Sequence, residues 1–444
     1  MKHLSLTLAA LLSVSASGLF AAPGAPLTDT VTDPVRDCEA GWNEYMPLIA
    51  WGADGVVAYA NGASLENAPG LLADAGLPLT LTVEDSFEAQ LRADLVCETP
   101  YLRGTLGMLA AAAPITEFDP RTEQIVFFKH SFSAGDGIVA SEGIERITDL
   151  AGKKIAIQAN GPHVDFVGRI LADGGLSFSD VEIVWVADLT GDGDTPSAAM
   201  VEGRADAAAV ILPDARFLTS GGTVGTGAEG SIRGATVLTS TQEAASVVGD
   251  YISVRADYFD ANRDDIATMV NAFFQAEERM RGFMARDGDP DQLKMATLMA
   301  SEFLGGLPTE EGVFLWQDAI TDGWAGNAKH FADPTEARRF DVLLEEVNVA
   351  LRGADRLSAP ANLSTAEWDY TALTTGLQDL DDRQVASFNP ERAAAAVQKL
   401  RRTGQLDANT KIDFEVFFEP DSTSFPLALY ADDFEEILRL ASTY

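Results

Sequence analysis

The sequence is poor in basic residues, histidine and cysteine, and each shortage excludes a class of function. Its 31 Lys and Arg residues face 68 Asp and Glu residues, which gives a formal net charge of −37 at pH 7. A chain this acidic repels phosphate backbones, so nucleic acid is excluded as a main partner. Of its four histidines, His130, His163 and His330 lie far apart, and no zinc-hydrolase, nucleophile-elbow or P-loop motif occurs. The sequence therefore predicts no catalytic centre, no metal site and no cofactor.

Only two cysteines occur, Cys38 and Cys97, and neither has a histidine beside it. An even pair in an exported protein favours one disulfide, whereas two buried free thiols are the alternative. A metal-binding or nucleophilic role is not expected for either residue.

Long apolar runs are also missing, except at the start of the chain. Lys2 and His3 precede an almost uncharged stretch that ends in the small residues Ala21 and Ala22. This pattern predicts a signal peptide over residues 1–21, and Pro23 favours cleavage after Ala21; an uncleaved signal anchor is the alternative. Residues 22–41 are rich in Pro, Thr and Asp, and we interpret them as a flexible leader.

From residue 42 onward, strand and helix patterns alternate, which predicts an α/β fold. A buried strand over Lys154–Gln158 runs directly into a helix from about Pro162. Strands near 136–141 and 251–254 are predicted to carry the chain between two lobes. Beyond residue 260 the pattern becomes helical, with an apolar face over 261–285.

Three polar turns are candidate ligand-binding segments: 99–107, 131–137 and 158–163. The third begins a helix, where free backbone N–H groups can bind an anion or a carbonyl oxygen. An ordinary strand-to-helix turn capped by Asn160 is the alternative. Turns from two lobes can converge on one cleft, which Trp42, Tyr45 and Tyr251 could line unless they are ordinary core residues.

Several stretches together resemble a known family. They are WNEYMP (42–47), SAGDGIVAS (133–141), ITDLAGKKIA (147–156), NGPHVDF (160–166) and VEGRADAA (201–208). In their order and spacing, residues 42 to about 350 resemble periplasmic solute-binding proteins of the nitrate, sulfonate, taurine and thiamine-precursor type.

The resemblance implies a type II-like periplasmic binding protein fold. Two α/β lobes, about 42–138 with 255–355 and about 139–254, are joined by two crossover strands. It also implies a small ligand (nitrate, sulfonate, taurine or pyrimidine-like) that is delivered in the periplasm to an ABC transporter permease. The ligand-binding residues carried over from the family are Trp42, Tyr45, Thr105, Asp136, Asn160, Gly161, His163 and Pro213. The stretch 211–214, ILPD, departs from the family's usual W-E-P-F, so the ligand stays open.

The end of the chain shows a second resemblance. Residues 366–444 resemble the start of an OmpA-like domain, which makes 356–405 a helical connector and 406–444 a truncated, partial α+β tail. This implies peptidoglycan binding, and a wall-associated sensor or tether, only in a longer form. A further alternative is an enzyme similar to thiamine-pyrimidine synthases, which would need a pyridoxal-binding lysine. We interpret Lys129, Lys153 and Lys154 as surface or strand-edge residues, which disfavours it.

Overall fold

The computed structural model describes residues 24–38, 42, 45–191, 193–221, 224–228, 230–244, 246–378 and 380. The predicted signal peptide and the OmpA-like segment 406–444 lie outside the described residues, as does most of the predicted connector. Within the described ranges, no helix is both long enough and apolar enough to cross a bilayer.

The described residues form twelve strands and thirteen α-helices, together with short 3-10 and π turns. The strands are β1 Tyr45–Leu48, β2 Thr80–Val83, β3 Tyr101–Thr105, β4 Gln124–Ser133, β5 Asp136–Ala140, β6 Lys154–Gln158, β7 Glu182–Val186, β8 Ala207–Ile211, β9 Thr236–Ser240, β10 Gly249–Arg255, β11 Ala319–Thr321 and β12 Ser364–Thr365. The helices are α1 Leu27–Thr30, α2 Gly55–Ala60, α3 Leu71–Asp74, α4 Phe87–Leu95, α5 Leu106–Thr116, α6 Val164–Asp173, α7 Pro196–Val201, α8 Leu212–Leu218, α9 Ala256–Met284, α10 Pro290–Leu298, α11 Thr309–Gln317, α12 Gly323–Ala332 and α13 Phe340–Gly353.

Two five-stranded sheets define two lobes. The sheet of the first lobe has the order β11-β4-β10-β3, with β12 parallel beside β4, and the parallel pair β1–β2 forms a separate small sheet. The sheet of the second lobe has the order β7-β6-β8-β5-β9, in which β6 pairs in parallel with β7 and β8. The predicted α/β class and the two-lobed architecture are therefore confirmed.

Burial on both faces explains the apolar composition of the central strands. Every residue of β10 is buried, and so is every residue of β5. The helix α6 directs Val164, Val167 and Ile170 into the core that it shares with α5 and α13. Helices that cover both faces of a sheet leave its strands with few solvent-facing positions.

The lobes are joined by two short connections that lie side by side. One runs from β4 to β5 and the other from β9 to β10. The N–H of Ser133 donates to the carbonyl of Val248 at 2.9 Å, and the N–H of Thr241 donates to the carbonyl of Asp136 at 2.9 Å. The predicted lobe boundaries were therefore misplaced. β10, which includes residues 251–254, belongs wholly to the first lobe, and β5 belongs to the second.

Two further boundary predictions were wrong. The leader was expected to be flexible, but Leu27 and Val31 are buried in the core and α1 packs against α5. The first lobe was expected to end at 355. Instead β12 pairs with β4, and Trp368 donates from Nε1 to the carbonyl of Phe127 at 2.9 Å. Apolar side chains in both segments complete the first lobe.

The predicted disulfide is confirmed. Cys38 is bonded to Cys97, 59 residues later, with a Cα–Cα distance of 5.6 Å. Cys97 follows α4, beside the end of β10 that is remote from the lobe connections, because Arg255 donates to the carbonyl of Asp94 there at 2.7 Å. The disulfide therefore ties the leader to the first lobe, far from the hinge.

Candidate ligand-binding cleft

The first-lobe wall of the cleft lies where three adjacent strands end at the hinge. Pairing in the sheet places Thr105 of β3, Asp250 of β10 and Ser131 of β4 side by side. Thr105 is also the N-cap of α5, since its side chain accepts a hydrogen bond from the N–H of Met108. This cap directs the start of α5 towards the second lobe.

A buried charged network organises this wall. Arg103, whose side chain is fully buried, donates to Asp54 at 2.6 and 3.0 Å and to Asp250 at 2.9 Å. Ser131 donates to the second oxygen of Asp250 at 3.4 Å and accepts from the indole N–H of Trp51 at 3.1 Å. Burial raises the pKa of Asp54 to about 6 and also raises that of Asp250, although the Arg103 guanidinium opposes both shifts. Each charged group of the wall has a partner.

The second-lobe wall is formed by the start of β5 and the start of α6. Oδ1 of Asp136 lies 2.8 Å from Nε2 of His163, and its Oδ2 accepts from the hydroxyl of Ser133 at 2.5 Å. Because a carboxylate accepts hydrogen bonds, Nε2–H of His163 is the donor. Nδ1 of His163 and Oδ1 of Asp165 are buried and make no hydrogen bond within the described structure. This wall therefore presents two unsatisfied polar atoms.

Asp165 reaches across the cleft to the first lobe. A Cβ atom built on Gly107, in the first turn of α5, would lie only 2.7 Å from Oδ1 of Asp165. Any side chain at position 107 would therefore collide with the carboxylate. Burial raises the pKa of Asp165 to about 7, against the opposing effects of the first N–H groups of α6 and of His163.

Other contacts limit how the lobes can separate. The helix α13 packs against both α5 and α6, and its Glu346 binds Arg169 of α6 at 2.9 Å. The leader also reaches the second lobe, because Nδ2 of Asn160 donates to the carbonyl of Ala25 at 3.0 Å. These contacts join the two lobes in addition to the two hinge connections.

The structure brings together only part of the predicted site. Thr105, Asp136 and His163 lie at the hinge, and Pro213 follows Leu212, whose N–H donates to the carbonyl of Gly135 at 2.7 Å. Trp42 lies instead under Arg255, at the opposite end of β10.

The other predicted residues contact the protein itself. Tyr45 begins β1, and its carbonyl accepts from Thr99 at 2.6 Å, away from the hinge. The positive φ of 58° belongs to Asn160, and a Cβ on Gly161 would lie 2.1 Å from Oε1 of Gln158. Gly161 is therefore needed for a contact within its own turn.

Sequence reasoning missed Trp51, Asp54, Arg103, Asp165 and Asp250. Arg103 lies in the middle of a buried strand, where a cation indicates a buried partner. Asp165 occupies the first turn of a helix, where acidic residues are common because they complement the helix dipole. Nothing in the sequence around Trp51 signalled its contact with Gly135, where a Cβ would lie 2.8 Å from the indole ring.

Comparison with known proteins agrees with this architecture. Residues 128–282 match the family model described as NMT1/THI5 like. No curated protein matches the sequence significantly.

Among solved structures, the chain is similar to the periplasmic aliphatic sulphonate binding protein SsuA from Escherichia coli. The identity is 15% and the TM-score 0.51, over 72% of this chain and 94% of that one. It is also similar to the alkanesulfonate-binding protein SsuA from Xanthomonas axonopodis pv. citri bound to MOPS, with 16% identity and a TM-score of 0.50, over 74% and 97% of the two chains. The predicted resemblance to periplasmic solute-binding proteins and the predicted fold are confirmed, whereas most of the segment with the OmpA-like resemblance lies outside the described residues.

Proposed function

We propose that this chain is an exported solute-binding protein that closes its two lobes on a small solute and delivers it to the permease of an ABC importer. The solute would lie between the start of α5 and the wall formed by Asp136, His163 and Asp165. The two connections beside Ser133 and Thr241 would act as the hinge.

One observation carries the proposal: buried polar atoms without hydrogen-bond partners lie where the two lobes meet. Leaving such atoms unpaired costs about 1–3 kcal/mol each, and proteins rarely keep them without a reason. Nδ1 of His163 and Oδ1 of Asp165 are of this kind, and the latter lies against Gly107 of the opposite lobe. A solute that pairs with both atoms would favour the closed arrangement.

Export into the periplasm is supported independently of the cleft. The first residues have the pattern of a signal peptide. The Cys38–Cys97 disulfide fits an oxidising compartment, since such bonds are rare in the cytosol.

A thermal-shift screen tests the proposal. The oxidised protein would be heated with panels of small cations, anions and neutral solutes, beside a His163→Ala variant as the site control. A solute at about 100 times its Kd adds roughly 2.7 kcal/mol of stability, and the variant should lose much of that gain. Failure of every panel to stabilise the protein, or equal stabilisation of wild type and variant, would contradict the proposal.

The enzyme alternative is disfavoured by the placement of the lysines. Lys129 was expected at the surface or at a strand edge, but it is buried, forms an ion pair with Asp322 and lies 3.5 Å from the centre of the Phe132 ring. Lys154 pairs with Glu182 at the end of β6 away from α6. Lys129 is engaged by Asp322 and Lys154 lies away from the cleft, which disfavours an imine between either amine and a ligand there.

A further inference from the structure

The unsatisfied atoms of the cleft indicate which chemical group a ligand must present. His163 has no exposed surface and Asp165 is 5% exposed, so water cannot freely solvate either side chain. Nε2–H of His163 is used by Asp136, which leaves Nδ1 as an acceptor. Oδ1 of Asp165 is also an acceptor when the carboxyl group is ionised. When His163 is neutral and Asp165 is ionised, a ligand that satisfies both atoms must donate hydrogen bonds.

The sign of the surrounding charge is negative. Burial is the main cause that raises the pKa of Asp165, Asp250 and Asp318, and repulsion by Asp136 adds to each of these shifts. The nearby buried cations are already engaged, since Arg103 binds Asp54 and Asp250, and Lys129 binds Asp322. Arg216 of α8 also acts on Asp318, but it is exposed, so an anion between Asp165 and His163 would enter beside four carboxyl groups and no unengaged buried cation of the described residues.

The start of α6 does not relieve this repulsion. Free N–H groups at a helix start normally attract an anion. Here the second and third N–H groups of α6, those of Asp165 and Phe166, already act on the Asp165 carboxylate and lower its pKa. The helix carries its own anion at the position that a sulfonate or nitrate would need.

A metal ion does not fit this donor set. Among the residues that the structure describes, no group of three or more His, Cys, Asp or Glu side chains is arranged to hold one. Directional hydrogen-bond acceptors beside an acidic cluster suit an organic cation with N–H donors instead.

We propose that the ligand of this cleft is a small organic cation with a primary ammonium or amidinium group, bound between Asp165 and His163. This inference rests on the proposed function, because it names the substrate class of the same site. Binding would pair both acceptors, place a positive charge beside Asp136 and Asp165, and move the Asp165 carboxylate away from Gly107.

Calorimetric titration with acetamidinium and methylammonium tests the inference, with methanesulfonate and nitrate as anionic probes. Tetramethylammonium serves as a cation without N–H donors. We expect acetamidinium to bind, tetramethylammonium to bind more weakly, and the anions not to bind. Asp165→Asn keeps the shape of the side chain but removes its charge, so it should lower the affinity for acetamidinium about tenfold or more.

Asp214→Asn is the matched control. Asp214 is a half-buried carboxyl group in the first turn of α8 in the same lobe, and it accepts from Ser197 at 3.0 Å. This variant should bind acetamidinium within about twofold of wild type. Binding of methanesulfonate or nitrate that Asp165→Asn leaves unchanged or strengthens would overturn the inference and leave solute binding in place. Absence of binding by every cation, anion and neutral solute tested would overturn both proposals.

Discussion

The two walls of the cleft differ in whether their buried polar groups have partners. On the first-lobe wall, Arg103 binds Asp54 and Asp250, and Ser131 joins Trp51 to the same network. On the second-lobe wall, His163 and Asp165 each keep a buried acceptor without a partner. The charged groups of the first wall are paired without a ligand, whereas the second wall keeps two unpaired acceptors. In the proposed function, the first lobe would be the platform and the second lobe would supply recognition.

Arg103→Met should break the platform and have the largest effect. Removal of the guanidinium leaves Asp54 and Asp250 buried without their cation, which costs about 3–5 kcal/mol. Arg146→Met is the control, because Arg146 forms an exposed ion pair with Asp149 and should change stability by less than about 1 kcal/mol. Urea unfolding measures the free energy of unfolding of both variants. Equal losses for the two variants would mean that the network does not organise the first wall.

Reduction of the disulfide should separate overall stability from recognition. The Cys38–Cys97 bond closes a 59-residue separation at the end of the first lobe remote from the hinge. Its loss should lower the free energy of unfolding by about 2–4 kcal/mol. Because the bond does not touch the cleft, ligand affinity below the unfolding temperature should be unchanged. Thiol labelling of the unreduced protein should find no free cysteine; two labelled cysteines would refute the bond.

Gly107→Ala probes the contact between the two walls. Its methyl group would overlap the Asp165 carboxylate, so we expect a loss of about 1–3 kcal/mol or a partial opening of the lobes. Gly282→Ala is the matched control within a helix, because a Cβ there would meet only Nη1 of Arg286 at 4.0 Å. That control should stabilise the protein by roughly 0.5–1 kcal/mol. A stabilising effect of Gly107→Ala would show that the lobes do not meet at this point.

The pH dependence of stability should reveal Asp165. Its pKa is raised from 3.8 to about 7 in the folded chain, so its stabilising contribution is complete below about pH 4 and is lost as the pH rises through 7. His163, Asp136 and Tyr251 are the titratable groups that interact with it. Relative to Asp165→Asn, wild type should lose about 1 kcal/mol or more between pH 5 and pH 8 by urea unfolding. If the free energies of unfolding of wild type and Asp165→Asn change in parallel with pH, the buried placement of Asp165 is contradicted.

The sequence allowed the second lobe to be predicted better than the cleft. The strand over Lys154–Gln158 and the helix that follows it depend on neighbouring residues, so local patterns indicated them. The network around Arg103 joins residues 49 positions before it and 147 after it. Such pairs depend on how strands align in a sheet, which periodicity does not encode.

The leader and the end of the first lobe were misjudged for a related reason. Polar composition suggested a flexible segment at 22–41, yet two apolar residues, Leu27 and Val31, suffice to dock it against α5. Trp368 and Tyr370 were assigned to a separate tail domain, but they complete the first-lobe core. A few apolar side chains can fix a segment in place when they pack against an apolar surface of the core.

The most direct test of the account is the distance between the two lobes with and without a ligand. Spin labels at Phe118→Cys in the first lobe and Phe217→Cys in the second would report it, since both phenylalanines are exposed and the native cysteines are bonded to each other. We predict that acetamidinium shifts the distance distribution to shorter, narrower values in wild type, and that it does so far less in Asp165→Asn. An unchanged distribution in wild type at saturating acetamidinium would contradict the claim that the second wall closes on its ligand.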